Sequence, residues 1–239
     1  MTTVLQIGNR TIAPEEVIPL LTSYQMLPQL FRESIIDEAI APISCSPEEI
    51  ANARQQFYQQ NQLTSETERQ ALLWRYCMSQ EHLEEALLVR MLKIEKFKVT
   101  TWGHKLESHF LKRKGQLDRV VYSAIWTKDQ GIAEELYFRI QEREQTFAEL
   151  AYEYSQGPEA QAGGIMGPVE LGTLPPNLAQ VLSLSQPGQL WSPMPLGEWL
   201  VIVRLEKFIP AQLNPSMRQR LVRELFEGWL QEQLSQINK

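Results

Sequence analysis

From Val17 to Ile36 the apolar residues Val17, Leu20, Leu21, Tyr24, Leu27, Leu30, Phe31, Ile35 and Ile36 fall three or four positions apart, the repeat of one helix face. The run crosses Pro28, so it predicts either two helices or one kinked helix. Ahead of it, VLQI and RTI flank the turn-competent pair Gly8-Asn9 and predict a short strand pair. Pro14 suits a first helical position, with Glu15 and Glu16 at the positive end of the helix dipole. Ser46-Pro47-Glu48-Glu49 reads as a capping box for a helix bearing Ile50, Ala53 and Phe57. Further helices are predicted from about Ser65 to Cys77, from Ser79 through Leu83, Leu87, Met91 and Ile94, and over residues 100 to 115, which hold Trp102, Leu106 and Phe110.

The period changes at Gln116. Val120, Tyr122, Ala124 and Trp126 alternate with other residues, which predicts a strand. Two helices follow, GIAEELYFRIQER and TFAELAYEYS, then a loop dense in glycine and proline, a helix around residues 176 to 184, and a closing strand in GEWLVIVRLEKF. That order describes a compact α+β domain over 116–209. The last segment, 210–239, carries an amphipathic helix with Met217, Leu221, Leu225, Trp229 and Leu234 on one face. Such a stripe must be covered. Docked on the helices of 1–115, it makes one helical domain from both chain ends with the α+β domain inserted; the alternative is exchange into a neighbour, a domain-swapped homodimer.

With 239 residues, the chain has room for two ordinary domains. Its 23 basic and 29 acidic side chains leave a net charge of −6, which opposes binding to a phosphate backbone and argues against a nucleic-acid partner. Lys112, Arg113 and Lys114 read as a solvated helix end. No apolar run approaches the roughly 20 residues of a membrane helix. The amino terminus lacks a basic start followed by a long apolar core, so a cytoplasmic location is expected. Cys45 and Cys77 read as reduced thiols. His82, His104 and His109 are the three histidines, without zinc-type spacing, and neither a metal nor a cofactor is expected.

FAELAYEYSQGPEAQAGG, LPPNLAQVL and QPGQLWSPMPLGEWLVIVRLE together resemble the parvulin-type peptidyl-prolyl isomerase domain, and the whole order of segments resembles the SurA-like and PrsA-like foldases. The resemblance implies a helical chaperone-like domain carrying a parvulin-like domain, with a cleft for proline bordered by the glycine-proline loop. In this family two histidines and an acid or thiol form the polar network of the cleft. Position by position, these fall on Ser123, Trp199 and Gly157, so all three are substituted. The apolar side of the cleft falls on Met166, Leu174 and Leu178, which either form a groove for proline or complete the domain's core.

Rotation about an amide bond faces a barrier of about 18–20 kcal/mol, and a catalyst has only to stabilise the twisted amide, without nucleophile or metal. With those polar groups substituted, the resemblance implies weak or absent isomerase activity. The resemblance implies a foldase that binds extended or unfolded, proline-containing polypeptide; the alternative is a non-catalytic adaptor for one protein partner.

Overall fold

The computed structural model describes residues 5–7, 10–63, 65–75 and 78–237, without the side chains of 5–7, 10, 84–86 and 237. In chain order the elements are β1 (Leu5–Ile7), β2 (Arg10–Ile12), α1 (Pro14–Ser23), α2 (Leu27–Ile40), α3 (Pro47–Gln60), α4 (Glu66–Arg75), α5 (Gln80–His82), a π-helical stretch (Leu83–Val89), α6 (Arg90–Trp102) and α7 (Leu106–Leu117). Then follow β3 (Arg119–Thr127), α8 (Gln130–Gln141), α9 (Phe147–Tyr154), β4 (Ile165–Glu170), α10 (Pro176–Leu184), β5 (Leu190–Leu196), β6 (Trp199–Ile209) and α11 (Pro215–Ile237). Contacts divide the chain into two compact units, 1–106 with 218–239, and 107–217. The second unit thus begins at Glu107 rather than at the change of period near Gln116.

In the first unit the helical run that crosses Pro28 is two helices: α1 ends at Ser23, Gln25 adopts φ 58°, and Pro28 sits in the first turn of α2, where its missing N–H costs nothing. Ser46 and Glu49 form the reciprocal capping box that starts α3. The Gly8-Asn9 turn and Cys77 lie outside the described residues. The core of this unit joins Ile36 and Ile40 of α2, Trp102 of α6, and Phe226 and Leu230 of α11. Phe97, Trp102, Phe226 and Trp229 pack as an aromatic cluster, with ring centroids 5.2 to 6.4 Å apart. The buried stripe of α11 is Leu221, Val222, Phe226 and Leu230. Leu225, Trp229 and Leu234 flank it half-buried, so the helix is rotated from the face its Met217–Leu221–Leu225 spacing predicts. Arg32 of α2 fixes this docking with a two-pronged contact to Glu227, at 2.9 and 2.8 Å.

The second unit is built on a four-stranded antiparallel sheet in the order β4-β3-β6-β5. The alternating pattern predicts only its two central strands. Both edge strands, IMGPVE and LWSPMPL, carry proline and lack alternation, which is tolerated at an edge where no ladder donor is required. On one face of the sheet Val120, Tyr122, Ala124, Val201, Val203 and Leu205 pack against Leu171, Leu178 and Leu182. On the other, Ile125 and Ile202 pack against Leu136, Ile140, Phe147, Leu150 and Ala151 of α8 and α9. Asp118 ties the unit's two ends together: it accepts from Lys114 at 3.0 Å and from the backbone N–H of Ala211 at 2.7 Å.

Candidate functional site

β3 and β6 pair with Ala124 opposite Val203 and Trp126 opposite Val201, so their even-numbered and odd-numbered residues respectively share one face. Trp199, Met166 and Leu174 all pack, half-buried, against the core on that face, and Leu178 lies within it at 1% exposure. The four apolar positions are therefore brought together. Leu178 completes the core; Met166, Leu174 and Trp199 pack half-buried at its edge, and this apolar edge is the candidate cradle, with Met166 directly opposite Tyr122 across the β3–β4 pair. The ammonium of Lys128 sits 4.7 Å from the centre of the Trp199 ring.

Ser123 does not join them. It is 1% exposed on the opposite face, where its hydroxyl donates to Glu206 at 2.6 Å. Glu206 also accepts from Arg204 at 2.8 Å, and the Arg204 guanidinium lies over the Phe147 ring. Side chains of a strand alternate between faces, so Val120, Tyr122, Ala124 and Trp126 look into the cradle and Ser123 looks away. Assigning Ser123 to the cleft is thus corrected: this serine is part of the structure behind the sheet.

Gly157 precedes the 3-10 turn Pro158–Ala162 and has no side chain to offer. The space next to it is taken by the carboxylate of Glu159, which a methyl group on Gly157 would overlap. Glu159 is only 6% exposed, yet it is satisfied: Ser155 donates its hydroxyl proton to it. The same serine oxygen accepts the backbone N–H of Trp126 at 3.0 Å, and Gln156 N–H donates to the Trp126 carbonyl at 2.9 Å, clamping the loop to the end of β3. Burial, and secondarily the charge of Glu159, hold the Tyr122 hydroxyl above the ordinary tyrosine range. An acid is present after all, supplied two residues beyond the position where the resemblance places one.

Trp126 completes the cradle's polar side. It packs against the same core, and its indole Nε1–H is buried with no acceptor among the described residues. A buried unpaired donor is costly, and because this atom has almost no exposed surface a ligand carbonyl meets it only where the neighbouring side chains move aside. The glycine-proline loop that frames these groups is rigidly shaped. Gly164, at φ +81°, has the Ala124 carbonyl oxygen 2.7 Å from where a methyl group would lie, and its own carbonyl accepts from Ala124 N–H at 2.9 Å. At Gly167, φ +101°, the Val120 oxygen would be met at 2.5 Å.

Tyr122, Trp126, Ser155 and Glu159 are the site residues that sequence reading misses. The period-2 pattern already places Tyr122, Ala124 and Trp126 on one face, and that signal excludes Ser123 from it. Glu159 is invisible to a position-by-position reading, because it arrives through the fold of the 3-10 turn.

Residues 127–207 match the family described as rotamase, PPIC-type PPIASE domain. No curated protein matches. Among solved structures, peptidylprolyl isomerase PrsA from Bacillus anthracis is 19% identical, with a TM-score of 0.50 over 89% of this chain and 97% of its own. The parvulin domain of PpiD from E. coli is 32% identical over 42% of this chain and 97% of its own, with a TM-score of 0.36. The SurA-like chaperones PEB4 and Cj1289 of Campylobacter jejuni are represented by a chain 17% identical, with a TM-score of 0.39 over 98% of this chain and 93% of its own. The matched domain spans α8 through β6 and so includes Glu159, Met166, Leu174, Leu178 and Trp199; residues 127–207 are thus a PPIC-type rotamase domain, of the parvulin type, in a chain whose fold is similar to that of PrsA.

Proposed function

We propose that this protein is a foldase acting in the cytoplasm, which holds extended or unfolded polypeptide and isomerises X–Pro bonds weakly or not at all. The observation that carries the reading is the content of the cradle: an apolar wall of Met166, Leu174 and Trp199, a buried indole donor at Trp126, a carboxylate at Glu159, and no imidazole. The wall suits a proline ring. The indole suits a peptide carbonyl. An amide twisting toward its transition state needs donors placed where its nitrogen lone pair and carbonyl develop charge, and removal of one such donor costs about 10²–10³ in rate in other enzymes. Trp126 offers a single donor, so rate acceleration should be small while binding persists.

The helical unit supports the holding function. Ile18, Tyr24, Met26, Leu30 and Phe31 of the α1–α2 region and Trp74 of α4 stand exposed, an apolar surface of the kind that unfolded chains contact. The test pairs two assays on the full chain: isomerisation of a proline tetrapeptide, and aggregation of a chemically unfolded client. Suppressed aggregation with isomerisation far below that of an ordinary parvulin is expected. Rapid isomerisation overturns the catalytic half; undiminished aggregation, with capture of one stoichiometric partner, overturns the holding half in favour of an adaptor.

A further inference from the structure

β3 ends at Thr127, which pairs with Leu200 of β6, and one step outward stand Lys128 and Trp199. Their side chains meet. The Lys128 ammonium lies 4.7 Å from the centre of the Trp199 ring, inside the roughly 6 Å reach of a cation–π contact. The same ammonium is 3.2 Å from Glu198 Oε2, so one lysine spans two successive residues of the β5–β6 hairpin. That ion pair is open to solvent, with the Glu198 side chain 84% exposed, and such pairs contribute little by themselves. The ring contact has a half-buried partner and is the stronger of the two.

The two ends of this contact differ in stiffness. On the lysine's side the backbone is fixed from both directions: Thr127 is 1% exposed and its hydroxyl accepts the Asp129 N–H at 3.2 Å. Asp129 in turn caps α8, accepting the Ile132 N–H at 3.0 Å. Trp199 is the first residue of β6 and follows a two-residue turn, in which Gly197 has φ +64° and open space where a side chain would be. Its ring packs at the edge of the core rather than within it. An indole in such a place has several staggered positions open to it, and a cation on a fixed post favours the one beneath it.

We propose that Lys128 is a positioning residue: it holds the Trp199 ring as a wall of the proline cradle and thereby sets the cradle's affinity for proline-containing polypeptide, acting through the ring rather than on the client. An exposed cation–π contact shifts the equilibrium between ring positions by about two- to fivefold. The apparent dissociation constant varies inversely with the fraction of molecules whose ring is in place, so loss of the contact weakens binding by at most the same factor. The inference rests on the foldase reading, which makes Trp199 a wall of the cradle, and it adds the residue that keeps that wall in position.

The test uses the full chain and compares Lys128→Met, which keeps the apolar stem and removes the charge, with Lys128→Arg, which keeps the charge. Acrylamide quenching of indole fluorescence reads the ring, and subtracting the matching Trp199→Ala protein isolates Trp199 from the other tryptophans of the six. Calorimetric titration with a tetrapeptide bearing one central proline reads the affinity. In Lys128→Met the Trp199 signal should be quenched more strongly, and the peptide should bind about two- to fivefold more weakly. Lys128→Arg should restore both, since a guanidinium also stacks on an indole. In the Trp199→Ala background the effect of Lys128→Met on affinity should vanish. Unaltered quenching in Lys128→Met, or an equal loss of affinity with and without the Trp199 ring, would overturn the assignment; the second result would mean that the lysine acts on the peptide directly. Lys128→Arg as weak as Lys128→Met would overturn it too. If none of the proteins binds the peptide, the cradle reading itself fails, and the quenching comparison alone then upholds or overturns Lys128 as the residue that holds Trp199.

Discussion

The carboxylate of Glu159 stands where a side chain on Gly157 would have to go. The two residues are a coupled exchange: the glycine leaves room, and the acid reaches into it from the 3-10 turn, held by the Ser155 hydroxyl. Replacing Gly157 with Asp therefore adds a second carboxylate to an occupied space instead of restoring a missing one.

That coupling reaches Tyr122, whose hydroxyl ionises above the ordinary tyrosine value of about 10 because it is buried and faces the Glu159 charge. A group with a raised folded-state pKa adds stability that is fully present below its unfolded value and lost as pH rises through the folded one. Tyr122→Phe should thus flatten the alkaline limb of the stability–pH curve above about pH 10, the ordinary tyrosine value. Glu159→Gln should lower the Tyr122 pKa without bringing it to the ordinary value, since burial remains. Absorbance titration of tyrosinate, with the Tyr122→Phe protein as baseline, reads both; an unshifted titration in Glu159→Gln would show that the charge does not act on the ring.

Trp126 gives a separate handle on the cradle. Trp126→Phe keeps an aromatic ring and removes the buried donor that has no acceptor among the described residues. Relief of that unpaired N–H offsets the lost packing, so the change in stability should stay within about 1 kcal/mol, whereas affinity for a proline peptide should fall about fivefold, the worth of one net hydrogen bond. Calorimetric titration of the peptide checks the second figure, and equal affinities in both proteins would remove the indole from the binding site.

The helical unit is completed by the last helix. Phe226 is buried against Trp102, Phe97 and Trp229, so Phe226→Ala should cost about 3–5 kcal/mol of that unit's stability. Denaturant unfolding followed by helix signal should show an earlier transition. A loss below about 1 kcal/mol, less than the transfer free energy of the ring alone, would mean that α11 is not docked on α2 and α6 in solution.

Period carries far in this chain, and its failures are local. The 3.6-residue repeat foretells the helical first half, and the alternation Val120-Tyr122-Ala124-Trp126 foretells β3 with its inward face. β4 and β5 escape because edge strands are free to carry Pro168, Pro193 and Pro195, which break both alternation and propensity. Met166, Leu174, Leu178 and Trp199 come together on one core because each falls at a register position that the motif spacing preserves. Ser123 fails for the opposite reason: a shift of one residue along a strand moves a side chain through the sheet. Glu159 depends on tertiary geometry, a turn folding back on its own preceding residues, and no linear spacing encodes that.

These placements decide which change should awaken catalysis. His at Ser123 would project behind the sheet into the Glu206–Arg204 contact, and Asp at Gly157 would collide with Glu159. Trp199→His alone remains: it sets an imidazole on the cradle face of β6, on the same core as Tyr122, the residue that the Glu159 charge reaches. Loss of the indole's packing against that core should lower the melting temperature by several degrees, for about 1–2 kcal/mol. Isomerisation of a proline peptide should nonetheless rise by about tenfold or more, since one well-placed donor is worth about 10²–10³ where geometry is complete. Glu159→Gln in the Trp199→His background should cancel much of the gain, a coupling that mere opening of the cradle would not produce. If Trp199→Ala accelerates the reaction as much as Trp199→His, the gain comes from space and the imidazole contributes nothing.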